Sequence, residues 1–60
     1  MKEIKTKIGG FRMVLTRKID ETWETALVSI NENILDSIFG DNEKEAKENH
    51  QRMVEKNTSF

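Results

Sequence analysis

Trp23-Glu24-Thr25-Ala26-Leu27-Val28-Ser29-Ile30-Asn31-Glu32-Asn33-Ile34-Leu35-Asp36-Ser37-Ile38-Phe39 decides the fold of this 60-residue chain. Two periods compete within it. In the first, Trp23 to Ile30 is a strand rich in β-formers (Trp23, Thr25, Val28, Ile30). Asn31-Glu32-Asn33 is turn chemistry, and Ile34 to Phe39 is a second strand. Ile34, Asp36 and Ile38 then share one side, and Leu35, Ser37 and Phe39 the other. In the second, Thr22 to Phe39 is one long helix, capped by Asp20 or Thr22. Its stripe is Trp23, Ala26, Leu27, Ile30, Ile34, Leu35 and Ile38. The turn residues in the middle favour two strands over the helix.

Upstream, Lys2 to Ile8 alternates, with Ile4, Thr6 and Ile8 on one face and Glu3, Lys5 and Lys7 on the other. Gly9-Gly10 reads as a two-residue primed hairpin turn, in which both residues need positive φ. Phe11 to Lys18 resumes the alternation. Phe11, Met13 and Leu15 fall on one face; Arg12, Thr16 and Lys18 fall on the other, joined by Val14. Ile19 to Thr22 is a connection. The expected solvent side of this first hairpin is basic, carrying Lys5, Lys7, Arg12, Lys18 and Lys2.

Downstream, Gly40 separates the strands from a helix that runs from Asn42 to Lys56. Asn42 can cap it, with Glu45 three residues on in the capping-box position. Glu43→Lys47 and Glu48→Arg52 are correctly oriented i,i+4 pairs. Ala46, His50, Met53 and Val54 form a narrow apolar stripe that must pack on the sheet. The expected architecture is therefore α+β: an antiparallel β-meander of three to four strands packed on one C-terminal helix. Residues 1–57 form a single domain and residues 58–60 a polar tail.

Composition narrows the function. A chain of 60 residues buries only about 60% of its unfolded surface and is marginal alone. It has no cysteine and one histidine, so neither disulfides nor a thiolate metal site can add stability. Oligomerisation is the remaining route, and a homodimer is expected. No apolar run approaches the roughly 20 residues of a membrane span, and residues 1–4 lack a signal-peptide core. A cytoplasmic protein without membrane contact is the expectation.

Charge is polarised: residues 1–18 carry a net +5 and residues 19–60 a net −6. This can be neutralisation within one molecule, or a basic face for an anionic partner. No residues combine into catalytic, cofactor or metal chemistry. His50 lies on the apolar stripe and reads as a packed histidine hydrogen-bonded to a polar neighbour. Ser29, Ser37 and Ser59 lack a nucleophile context. The carboxylates from Asp20 to Glu48 read as caps and solvated groups. Asp41-Asn42-Glu43 lacks calcium-loop spacing, and Gly9-Gly10 is not a phosphate loop. Trp23 is as good an interface anchor as a core residue. The candidate partner-binding set is Lys5, Lys7, Arg12, Val14, Lys18 and Trp23. For a nucleic acid, Phe11 falls on the wrong face to stack bases.

The segment Trp23-Glu24-Thr25-Ala26-Leu27-Val28, followed by Gly40 to Val54, resembles small bacteriophage proteins with an "ETMVF"-like strand and an "EAxxxHxxxV" helix. Glu24-Thr25 match the strand. Glu45, Ala46, His50 and Val54 match the helix, with asparagine at the usual threonine cap. The resemblance covers about half the chain and defines no catalytic residues. It implies the two-strand reading, with Ala46, His50 and Val54 packed on the sheet. It also implies a small accessory protein that binds and inhibits or redirects a host protein, such as a defence-system component. A nucleic-acid-binding module built on the basic hairpin, or a minor virion structural protein, are the alternatives.

Overall fold

The computed structural model describes residues 3–58. Four strands, β1 (Glu3–Ile8), β2 (Arg12–Ile19), β3 (Thr22–Ser29) and β4 (Ile34–Gly40), precede one helix, α1 (Glu43–Thr58). The strands form a single antiparallel sheet in the order β1-β2-β3-β4. The chain is thus a ββββα meander, and residues 23–39 are two strands rather than a helix. Helix α1 lies across one face and touches all four strands.

The first hairpin corrects the expected turn. Ile8 pairs with Arg12, which leaves Gly9, Gly10 and Phe11 as a three-residue loop. Only Gly9 has positive φ, +63°. Phe11 is held by the neighbouring strand instead: its carbonyl accepts the Ile30 N–H at 2.8 Å. That bond continues the ladder in which Arg12 pairs with Ser29. A one-residue change in a loop moves every side chain of the next strand to the opposite face. Val14 and Thr16 therefore join Ile4, Thr6 and Ile8 beneath the helix. Met13 and Leu15 join Lys5 and Lys7 on the far side.

The second correction lies in β4. Leu27 pairs with Asp36 and Val28 with Ile34, so Leu35 is the extra residue of a β-bulge. The bulge places Ile34 on the Val28 face, away from Asp36 and Ile38.

Under the helix the core has three tiers. Ile8, Val14, Leu27 and Met53 form the apolar cluster, with Val54 packed against it. Thr16 and Thr25, 0% and 1% exposed, make a polar middle tier with His50. Trp23 lies at the end where the helix begins, opposite Gly40. A Cβ at Gly40 would come within 3.1 Å of Glu45 Cβ and 3.2 Å of Asn49 Nδ2. Any side chain at position 40 would push against the first turns of the helix, so glycine favours its close start beside β4.

The helix begins as its sequence requires. Asn42 Oδ1 accepts the Glu45 N–H at 2.9 Å, and Asn42 O accepts the Ala46 N–H at 3.0 Å. The Glu45 carboxylate takes the Asp41 N–H rather than that of Asn42. The Glu43–Lys47 pair forms at 3.2 Å. Glu48 and Arg52 make no ion pair within 4 Å among the described residues. The helix runs past Lys56 to Thr58; residues 59–60 and Lys2 lie outside the described span.

Glu32 sits at φ +63° in the β3–β4 loop. That conformation strains any residue with a Cβ. Glu32→Gly is expected to stabilise the fold by about 0.5–1 kcal/mol, read as a higher urea midpoint.

Candidate functional site

His50 is the chain's single histidine, and its surroundings define what it does. It is 7% exposed. Its Nε2 lies 2.9 Å from Thr6 Oγ1 and its Nδ1 2.8 Å from Thr16 Oγ1. Thr16 Oγ1 in turn lies 2.7 Å from Thr25 Oγ1. Both ring nitrogens are engaged by hydroxyls that can donate or accept, so either neutral tautomer is satisfied. Desolvation holds the imidazole pKa below its ordinary 6.5. This is a structural clasp between the helix and β1–β2.

The clasp has a pH consequence. An unfolded chain binds the proton near pH 6.5, whereas the folded chain binds it only at lower pH. The neutral ring's contribution is therefore fully present above about pH 6.5 and is lost as pH falls below that value toward the folded pKa. Urea midpoints should fall between pH 7.5 and about pH 5.5, and His50→Gln should flatten that part of the slope.

None of the described residues covers the other face of the sheet. Three rows of paired residues cross it from β1 to β4. The first is Glu3, Arg17, Glu24 and Phe39; the second is Lys5, Leu15, Ala26 and Ser37; the third is Lys7, Met13, Val28 and Ile34. Each row starts on a charge, and the first and third end on a large apolar side chain. In the first row Arg17 meets Glu24 at 3.5 Å. Lys5 meets Glu3 of its own strand at 3.7 Å. Sheet twist makes this face a shallow concavity of about 800 Å³, with Phe11 and Ile30 at its turn end. Phe11 is 73% exposed, Ile30 66%, Ile34 60% and Phe39 60%. These exposed apolar side chains, rimmed by charge, make the face the candidate site.

The expected partner-binding residues divide. Lys5 and Lys7 stand together on the uncovered face. Arg12 and Lys18 pair with Ile8 and Trp23, at helix-side positions. The four cations thus do not make one basic face. Val14 and Trp23 are buried, at 0% and 6% exposure, and belong to the core. Sequence reasoning missed Met13, Leu15, Arg17 and Val28 as members of the uncovered face. The signal that would have found them is the length of the Gly9–Phe11 loop. Among the described residues no group of three His, Cys, Asp or Glu could hold a metal ion, and no helix is long and apolar enough to cross a membrane. No known protein family, curated protein or solved structure matches the chain.

Proposed function

We propose that this chain is a non-catalytic binding module, of the phage accessory type, that docks a host protein on its uncovered sheet face and modulates it. The observation that carries this reading is the graded face itself. Met13, Leu15, Val28 and Ile34 offer apolar contact that nothing else in the described chain fully covers. Lys5 and Lys7 flank it on the β1 side. The chemistry fits a partner with an apolar ridge bordered by carboxylates, since apolar area supplies affinity and rim charge supplies orientation. A nucleic acid fits less well. Among the described residues only Lys5, Lys7 and Arg17 share this face, and Glu3 and Glu24 stand beside them.

The test is capture from host lysate by three proteins: wild type, Leu15→Glu on the uncovered face, and Glu48→Lys on the outer helix surface. Circular dichroism confirms that each is folded. The proposal expects one protein retained by wild type and Glu48→Lys and lost by Leu15→Glu. Equal retention by all three contradicts it. So does tight DNA binding with a steep salt slope that disappears with Lys5→Ala and Lys7→Ala, and no capture at all.

A further inference from the structure

The uncovered face presents side chains alone. The backbone N–H and C=O groups beneath it lie in the plane of the sheet and pair from strand to strand. An extended or irregular segment of a partner, laid over this apolar floor, would lose water from its own N–H and C=O groups and find nothing here to replace it. A helix pairs those groups within itself. The same sheet already holds a helix on its opposite face, where α1 touches all four strands.

The apolar floor has a direction and a length. Leu15 stands beside Ala26, Met13 beside Val28 and Phe11 beside Ile30, so the strip runs along β2 and β3. From Leu15 to Phe11 it spans about 13 Å, a length that about nine helical residues match. Three anchors, at i, i+3 or i+4, and i+7, fill it. Charge sets the flank. Lys5 is met by Glu3, and Arg17 by Glu24. Lys7, on the β1 side of Met13, has no ion pair within 4 Å among the described residues. Glu32, in the β3–β4 loop, rims the same end of the concavity from its other side. A carboxylate on the flank that faces β1 meets Lys7, and one on the flank that faces Glu32 is repelled.

We infer that the element received by this face is an amphipathic α-helix of another protein, laid along β2 and β3 with three apolar anchors and an acidic flank toward Lys7. The inference rests on the docking role proposed above for the face and names the form of the partner. The helix of a second copy does not fit, because every exposed residue of α1 is polar or charged.

The test is fluorescence anisotropy of labelled 16-residue synthetic peptides titrated with the full chain. One peptide carries leucines at i, i+4 and i+7 with glutamates along one flank. A second has the same residues rearranged so that the leucines alternate as in a strand, and a third has lysine for each glutamate. The first should bind at least tenfold more tightly than the second, and gain helical dichroism on binding. Phe11→Ser and Leu15→Glu should each weaken it at least tenfold; Phe11 is 73% exposed, so its variant folds even if Leu15→Glu does not. Lys7→Glu should weaken the first peptide and tighten the third. Equal or tighter binding of the alternating peptide overturns the inference, as does no binding of the first, or binding indifferent to Phe11→Ser. A wild-type dimer in light scattering that Leu15→Glu dissociates would make a second copy the occupant, and also overturns it. The two readings fail separately. A host protein captured on this face and displaced only by the alternating peptide ends the helix inference and leaves docking standing. Helical-peptide binding without any captured host protein ends the host-protein reading alone.

Discussion

Trp23→Ala should cost about 3–5 kcal/mol, the range for truncating a large buried aromatic. The side chain is 6% exposed, set between Lys18 and Gly40 in the sheet register, at the end where α1 begins. A 60-residue domain holds only about 3–9 kcal/mol in all. The variant should therefore lie close to its unfolding midpoint at room temperature, with a melting temperature lower by roughly 15–30 °C. Trp23→Phe keeps most of the packed ring and should lose less than half as much. Thermal melts by circular dichroism decide the matter. Were Trp23 an interface anchor, alanine would leave the melting temperature unchanged and affect only binding. It is the chain's sole tryptophan, so in the wild type its fluorescence should shift to longer wavelength in the same transition.

The second large effect is expected at His50. His50→Ala opens a cavity under the helix and strands Thr6 Oγ1, while Thr16 Oγ1 keeps its contact with Thr25 at 2.7 Å. Cavity and unsatisfied hydroxyl together should cost about 2–4 kcal/mol. His50→Leu fills the space but pairs with neither hydroxyl, and should recover only part of the loss. Thr6→Val with His50→Leu removes the stranded donor as well, and should recover more than His50→Leu alone. Chemical denaturation of the four proteins measures this. A His50→Ala variant as stable as wild type would show that the clasp does not hold helix to sheet.

Much of this architecture is legible in the residues. Alternation in β1, turn chemistry at Asn31 to Asn33 and the Asn42 cap all state local preferences that the fold obeys. The stripe of Ala46, His50, Met53 and Val54 names the helix face that is buried, although Asn49 joins it. What local preference does not state is register. Gly9-Gly10 invites a two-residue turn, but Phe11 is claimed by the β2–β3 ladder through its bond to Ile30. That long-range bond lengthens the loop by one residue and exchanges the faces of β2. The bulge at Leu35 does the same to Ile34. The consequences fall on the site: a basic face assembled from Lys5, Lys7, Arg12 and Lys18 becomes two separate pairs. An apolar surface around Met13, Leu15 and Val28 takes its place opposite the helix.

That exchange of faces underlies every functional statement above, and thiol reactivity tests it directly. Met13→Cys and Val14→Cys are single substitutions at adjacent residues in a chain with no other cysteine. Under native conditions the thiol at position 13, half-buried on the uncovered face, should react with a soluble disulfide reagent far faster than the protein unfolds. The thiol at position 14, where the valine is fully buried, should react only as fast as the protein unfolds. Protection at position 13 with free reaction at position 14 would place the helix on the other face and contradict the account.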